Sequence, residues 1–287
     1  RGASEGMEIL HRSEVEAPGT PGPGQVRIAM HTVGICASDV HYWTDGKIGP
    51  FVVEAPMILG HEGAGTVLEV GEGVTDLAVG DRVVMEPGVP DPTSRAVKEG
   101  NYNVDPGVEF WATPPVHGCL ADEVLHPAAY TYRLPESMSF AEGALIEPFA
   151  VGMFAATKAE ISPGDVAAVV GAGTIGIMTA LAALAGGAST VFISDVLPEK
   201  LALLDGIDGI VTVDATQQDL GETVRDALVY MRQRFLGSAA EEVIAKVELA
   251  LAEVLNNICK HGGRDDAPRP GSALHPPLIH LCIVRHV

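Results

Sequence analysis

The sequence is organised around two stretches, Gly34–Trp43 (GICASDVHYW) and Gly60–Gly65 (GHEGAG). They supply a thiol at Cys36, an imidazole at His61 and a carboxylate at Glu62. These three groups can hold zinc tetrahedrally with one position open, which distinguishes a catalytic zinc from a structural one. Each has an ordinary alternative. A lone cysteine is more often a small buried hydrophobic residue, and a lone histidine beside glycine is more often a loop or capping residue.

The spacing of the residues that follow is more specific than any one of them. Gly-His-Glu at 60–62 is followed by Gly65, Gly71 and Val74. This matches the whole signature Gly-His-Glu-x2-Gly-x5-Gly-x2-Val of zinc-containing alcohol dehydrogenases, and Gly80–Val83 (GDRV) follows at the family's distance. On these motifs the chain resembles the medium-chain dehydrogenase/reductase superfamily. Its nearest likeness is the polyol branch of sorbitol, xylitol and arabinitol dehydrogenases.

The resemblance implies an α/β protein with two kinds of domain. We expect a GroES-like, β-rich catalytic domain over residues 1–152. The first half of a Rossmann domain, a doubly wound parallel sheet, should follow over 153–227. The residue pattern supports the β-rich part independently, because 24–30 alternates apolar and polar side chains. Further strands are predicted at 65–70 and 82–85.

The resemblance also completes the metal site. Glu147 falls where alcohol dehydrogenases usually carry a cysteine ligand. The polyol branch has glutamate there, which binds zinc directly or through water. Asp91–Asn103 has no cysteine, whereas many relatives carry four at this place around a structural zinc. We therefore predict one catalytic zinc and no structural zinc. The cysteine-free segment and Phe110–Gly118 look most like bacterial xylitol dehydrogenases.

Four residues on the Cys36 side receive roles from the same resemblance. Asp39 would be the carboxylate that orients His61, although a turn-capping aspartate is an equal alternative. Ser38 would accept the substrate's proton and pass it toward solvent through His41. Tyr42 would line the substrate pocket, or serve as a core aromatic residue.

A second motif predicts a dinucleotide site. The apolar run Val166–Val170 reads as a buried parallel strand, and GAGTIG follows at 171–176 before an alanine-rich helix. A further strand at 190–194 ends in Asp195, whose carboxylate can bind the adenosine ribose and repels a 2′-phosphate, which favours NAD over NADP. An ordinary glycine-rich turn is the alternative. We expect cofactor contacts from Gly171, Gly173, Thr174, Ile175, Gly176, Asp195 and Lys200.

Composition limits the partners. The 287 residues include 18 Lys and Arg against 38 Asp and Glu, a net charge of −20. This acidity argues against nucleic acid and anionic membranes, which attract basic surfaces. None of the four cysteines forms a Cys-x2-Cys pair, and no signal peptide or membrane-spanning run is visible. We therefore expect a cytoplasmic protein.

The end of the chain departs from the family. Likeness holds to about residue 220, and 228–287 forms a tail of a different kind. Ser238–Glu241 reads as a capping box, and apolar residues at helical spacing predict a helix near 239–261. Three histidines and Cys282 near the end are too irregularly spaced to predict a metal site. A shortened parallel sheet would leave exposed strand edges.

These observations lead to a zinc-dependent, NAD-linked polyol dehydrogenase, with xylitol to D-xylulose as the favoured reaction. Sorbitol (L-iditol) and arabinitol dehydrogenases are alternatives. A truncated, non-catalytic zinc-binding relative is a further hypothesis. A zinc-free, quinone-reductase-like protein is disfavoured by the complete ligand set. The expected partner is a small polyol or ketose, and homo-oligomers are common in the family.

Overall fold

The computed structural model describes residues 10–219, 221–223, 226 and 280–284. The chain divides into two compact units between Glu147 and Pro148, close to the domain boundary predicted after residue 152. The helix predicted near 239–261 lies outside the described residues. Within the described part, every helix is too short or too polar to cross a membrane.

The elements follow the chain in a simple order. The strands are β1 (Gln25–Gly34), β2 (Lys47–Ile48), β3 (Phe51–Val52), β4 (Glu62–Val70), β5 (Arg82–Met85), β6 (Gly88–Val89), β7 (Glu109–Phe110), β8 (Glu123–Pro127), β9 (Thr131–Arg133), β10 (Val166–Val170), β11 (Thr190–Asp195), β12 (Ile210–Asp214) and β13 (His280–Val284). The helices are α1 (Ala37–Asp45), α2 (Arg95–Lys98), α3 (Phe140–Ala144), α4 (Ile146–Lys158), α5 (Thr174–Ala185) and α6 (Pro198–Leu201).

The first unit is built on a five-stranded antiparallel sheet in the order β8-β1-β4-β5-β9. Val26 and Ile28 of β1 are fully buried while their neighbours are partly exposed, as alternation predicts. They pack with Val67, Val83 and Met85 into one apolar cluster. This sheet is the rigid support for the end of β1 and the start of β4, where the candidate ligands lie.

The second unit is a four-stranded sheet in the order β12-β11-β10-β13. β10, β11 and β12 run parallel, as the sequence predicts for a nucleotide-binding unit. β13 runs antiparallel to β10, with Ala168 opposite Cys282. The sequence predicted that a shortened sheet would leave strand edges exposed, and in the structure this edge of β10 is paired with β13. Pairing gives hydrogen-bond partners to backbone groups that a free edge leaves open.

We expect His126 of β8 to make the stability of the first unit depend on pH in the acid range. Its side chain is 1% exposed and packs against the Trp111 ring, with centroids 4.5 Å apart. Its Nε2 has no hydrogen-bond partner among the described residues. Burial lowers the pKa of His126 from 6.5 to about 4.

We expect the free energy of unfolding to fall as the pH drops from about 6.5 to about 4. In that pH range His126 is protonated in the unfolded chain but stays neutral in the native state, so acid favours unfolding. A shift of this size corresponds to about 3 kcal/mol over the whole window. Urea unfolding at several pH values measures it, with His126→Gln as the comparison. An equally steep loss in the variant would contradict the assignment to His126.

Candidate metal centre and dinucleotide loop

Three candidate ligands come together in the first unit. Cys36 follows β1 as the N-cap of α1, His61 immediately precedes β4, and Glu62 is the first residue of β4. Gly34 pairs with Glu62 in the sheet, which brings the two chain segments side by side. One ligand atom from each of Cys36, His61 and Glu62 lies within 4.8 Å of the others. Ligands about 2.0–2.3 Å from a tetrahedral zinc lie roughly 3.5 Å apart, so a small contraction closes the site.

Burial makes this cluster costly without a cation. His61 is 7% exposed and Glu62 6% exposed. Burial raises the pKa of Glu62, with the charge of Asp39 adding to the shift. Burial also raises the pKa of the Cys36 thiol, while a hydrogen bond from Ser38 acts in the opposite direction. A cation reverses the balance, because it favours the ionised carboxylate and thiolate.

Glu147 lies in the first turn of α4 and interacts electrostatically with His61 and Glu62 of this cluster. Burial raises its pKa, the charge of Glu62 raises it further, and His61 lowers it. Its carboxylate is not one of the three ligand groups that lie within 4.8 Å of each other in the described part. A role as fourth ligand, direct or through water, stays a prediction.

The donor set fits zinc on these observations. A sulfur, an imidazole nitrogen and a carboxylate converge where His61 and Glu62 are buried, and a second, half-buried carboxylate, that of Glu147, interacts with the charges of His61 and Glu62. Two carboxylates near each other repel unless a proton or a cation lies between them. Cys36, His61 and Glu62 would hold the metal, and Glu147 stays the predicted further ligand.

Asp39 supports two ligands through the backbone. It is 2% exposed, one oxygen accepts the Cys36 N–H at 2.9 Å, and the other accepts the Gly60 N–H at 2.8 Å. The resemblance implied that Asp39 orients His61, with a turn-capping aspartate as an equal alternative. The bonds to the amides of Cys36 and Gly60 agree with the capping alternative, and a role in orienting the His61 ring stays a prediction.

The other residues predicted on α1 have defined partners. Ser38 forms its hydrogen bond with Cys36. His41 Nδ1 lies 3.1 Å from Asp45 Oδ2, at the more exposed end of the helix. Tyr42 is buried and bonds to Thr113, which the sequence did not single out for this contact. Ser38 and His41 are three residues apart and so share a helix face. Their relay role stays a prediction.

Hydrogen bonds to two aspartate side chains stabilise the cysteine-free segment that begins at Asp91. Asp105, which is 3% exposed, accepts the Asp91 N–H at 2.7 Å and the Gly107 N–H at 3.1 Å. Asp91 in turn accepts two bonds from Thr93. These bonds fasten the segment to itself in place of thiolate ligands. The number of zinc ions stays a prediction.

Gly34 has no side chain, and this leaves room for the carboxylate of Glu62, a candidate metal ligand. A Cβ at this position would lie 2.1 Å from Glu62 Oε2. We therefore expect Gly34→Ala to displace the carboxylate and lower zinc affinity by about 10-fold or more, since disturbing a ligand's support costs about that much. Equilibrium dialysis against a zinc chelator measures the loss. Gly19→Ala is the control, because its Cβ would meet nothing within 4 Å. Equal affinity in both variants would contradict the role of Glu62.

The glycine motif of the second unit forms a tight loop between β10 and α5. Gly171 has φ +99°, which favours glycine. A Cβ on Gly176 would lie 1.8 Å from the Gly171 carbonyl oxygen, whereas one on Gly173 would meet nothing within 4 Å. Gly173 is the N-cap of α5 and supplies no side-chain cap. The helix N-terminus therefore keeps backbone donors for an anionic group.

Asp195 closes the same loop at the end of β11. Its carboxylate accepts the Ala172 N–H at 2.8 Å and the Leu197 N–H at 3.0 Å, and Lys200 Nζ lies 3.7 Å away. Burial alone would raise the pKa of Asp195. The two backbone bonds and Lys200 outweigh it, so the pKa lies below its ordinary value. A carboxylate has about four acceptor sites, so capacity is left for ribose hydroxyls.

Comparison with known proteins places these sites in context. Residues 22–136 match the family model described as the alcohol dehydrogenase GroES-like domain. The D-xylulose reductase of Morganella morganii is 55% identical over 206 residues, covering 71% of this chain and 61% of that protein. The sorbitol dehydrogenase of Gallus gallus is 45% identical over 211 residues, covering 72% and 59%. Crystalline 2R,3R-butanediol dehydrogenase from Bacillus subtilis is 33% identical with a TM-score of 0.65, covering 78% and 64%.

Two conclusions follow from these likenesses. The predicted α/β class, a GroES-like domain with a partial Rossmann sheet, is confirmed. The chain also spans only about three fifths of the length of the curated relatives it matches, 60% and 59% for the first two.

Proposed function

Because the chain belongs to the polyol branch of the zinc-containing medium-chain dehydrogenase/reductase superfamily, we propose that it oxidises a polyol with hydride transfer to NAD. Xylitol to D-xylulose is the favoured reaction, since identity is 55% to a D-xylulose reductase and 45% to a sorbitol dehydrogenase. The observation that carries the proposal is the convergence of Cys36, His61 and Glu62 within 4.8 Å.

The candidate site residues of the first unit then have the following roles. Cys36, His61 and Glu62 would hold the metal, which when bound would supply Lewis-acid polarisation of the substrate hydroxyl. Ser38 accepts the hydroxyl proton at its Oγ and passes it toward His41, which lies one helical turn away. Asp45 bonds to Nδ1 of His41, so Nε2 would be the ring nitrogen that exchanges protons with solvent.

The second unit would bind NAD. The N-terminus of α5 would receive the pyrophosphate, and Gly173 would let the backbone approach it. The anionic carboxylate of Asp195, with Lys200 Nζ 3.7 Å away, would accept hydrogen bonds from the ribose hydroxyls and repel a 2′-phosphate. This arrangement would favour NAD over NADP. Cys36 and Cys119 are free thiols, which agrees with the proposed cytoplasmic setting.

NADH formation tests the proposal directly. Zinc-loaded chain should reduce NAD with xylitol faster than with sorbitol or arabinitol, and should use NADP poorly. Metal-stripped protein should be inactive and should recover when zinc is returned. Turnover that persists without metal would contradict the zinc mechanism, and faster turnover of sorbitol would replace the substrate assignment alone.

A second candidate is a zinc-binding relative without dehydrogenase turnover. Antiparallel β13 favours it, because this strand occupies the edge of β10 along which a parallel sheet could otherwise continue. Calorimetric titration with NAD separates the candidates. Zinc-loaded protein that binds no NAD would support the second candidate, whereas NAD binding with turnover would exclude it.

A further inference from the structure

Arg82, the first residue of β5, is unusual in bonding mostly to backbone carbonyl groups. Its Nη1 donates to the Pro135 carbonyl at 3.5 Å and the Glu136 carbonyl at 3.2 Å, and its Nη2 donates to the Met138 carbonyl. The Arg82 carbonyl accepts the Leu134 N–H at 2.8 Å. One residue therefore fastens the turn between β9 and α3 to the central sheet.

The same guanidinium also holds the start of α3. Its carbon lies 4.5 Å from the centre of the Phe140 ring, a distance suited to a cation–π contact. The His31 ring stacks on Phe140 as well, with centroids 4.2 Å apart and planes 1° apart. His31 Nε2 in turn lies 3.2 Å from the Thr66 hydroxyl. Phe140 is thus fixed to two strands of the sheet.

From Phe140 the chain runs a short way to Glu147. α3 is capped by Ser139, Ala144 packs in an apolar cluster with Ala64 and Val84, and Ile146 packs against the same cluster. Glu147 is the next residue. A shift of the turn held by Arg82 would therefore move the Glu147 carboxylate relative to His61 and Glu62.

We propose that Arg82 is a positioning residue that sets the place of Glu147 beside the metal ligands. The inference rests on the proposed function, in which Glu147 contributes to the metal site. Arg82 itself touches the backbone turn and Phe140, so its effect on the metal passes through Glu147.

Arg133 provides a matched control. It is a guanidinium on the neighbouring strand β9, and it bonds to Asp81 Oδ2 at 2.8 Å and to the Asp76 carbonyl. These contacts lie in the turn that ends at Arg82, and they include none of the carbonyl groups of 135–138 that Arg82 binds. Arg133→Met therefore removes a guanidinium of the neighbouring strand but keeps the Arg82 bonds, so we expect α3 to stay in place.

Cobalt(II) binding to metal-stripped chain tests the inference through a double-mutant cycle of Arg82→Met and Glu147→Gln. The affinity and the visible spectrum of the bound ion are measured in all four proteins and in Arg133→Met. We expect Arg82→Met to weaken binding by about 10-fold and to change the spectrum. In the Glu147→Gln background the same substitution should change little, and Arg133→Met should behave as the unaltered chain.

Equal weakening by Arg82→Met in both backgrounds would overturn the inference, since Arg82 would then act on the fold at large. If the single variant Glu147→Gln binds cobalt(II) as tightly as the unaltered chain, both the inference on Arg82 and the ligand role of Glu147 are overturned. Zinc-dependent NADH formation would still test the proposed function separately. Arg82→Lys serves in the same cycle where the methionine variant does not fold, because lysine keeps the charge but lacks the forked donors.

Discussion

Cys36→Ser should remove zinc and dehydrogenase activity together. The substitution replaces the single sulfur donor of the cluster with a hydroxyl, which stays protonated and binds zinc poorly. Loss of a residue that only supports a ligand costs about 10–100-fold in metal affinity, so loss of a ligand should cost more than about 100-fold. Zinc content after dialysis and the rate of NADH formation from xylitol measure the two effects.

The matched control is Cys119→Ala. Cys119 is fully buried in the apolar cluster of the first unit. Burial raises its pKa to about 12, so it stays a neutral thiol. We expect this variant to keep zinc and turnover. Turnover by metal-free Cys36→Ser would refute the zinc mechanism, and zinc loss in Cys119→Ala would show that the sulfur ligand is misassigned.

Gly176→Ala should abolish tight NAD binding and destabilise the second unit. The new methyl group would lie 1.8 Å from the Gly171 carbonyl oxygen, so the loop backbone must move. That movement also disturbs the Gly171 N–H, which donates to the Ser194 carbonyl at 2.7 Å. A charge-assisted hydrogen bond to the pyrophosphate would be worth about 1.5–3 kcal/mol, so we expect NAD affinity to fall on the order of 100-fold.

Gly173→Ala separates ligand binding from stability. Its methyl group meets no protein atom within 4 Å, and its φ of −73° suits alanine. We expect unchanged thermal stability but weaker NAD binding, because the methyl group occupies the path of the pyrophosphate. Calorimetric titration and thermal unfolding measure the pair. Gly173→Ala that binds NAD as tightly as the unaltered chain would contradict this role of the loop.

The parts of the fold governed by local pattern could be predicted from sequence. The apolar run at 166–170 and the following glycines indicated a buried strand and a helix N-terminus, and β10 and α5 lie there. The proximity of Cys36, His61 and Glu62 could also be expected, because the spacing of Gly-His-Glu and the glycines that follow it matches a zinc-dehydrogenase signature. The three residues do lie together in the structure, and their role as zinc ligands stays a prediction.

Contacts between distant segments were not predictable in the same way. Asp39 accepts a hydrogen bond from the backbone of Gly60, twenty-one positions away. The apolar and polar pattern of the sequence does not predict which backbone amides bind a given carboxylate. Thr113 and Tyr42 meet only because the fold brings their segments together. Pairing of β13 with β10 joins residues more than one hundred positions apart. The single-sequence pattern of 280–284 does not indicate its partner.

Cobalt(II) titration of metal-stripped chain tests the central claim most directly, because a thiolate ligand gives the bound ion a sulfur-to-metal charge-transfer band. We predict saturation at about one ion per chain, with a band that disappears in Cys36→Ser and persists in Cys119→Ala. Saturation without that band, or with a band that survives in Cys36→Ser, would contradict the proposed metal centre.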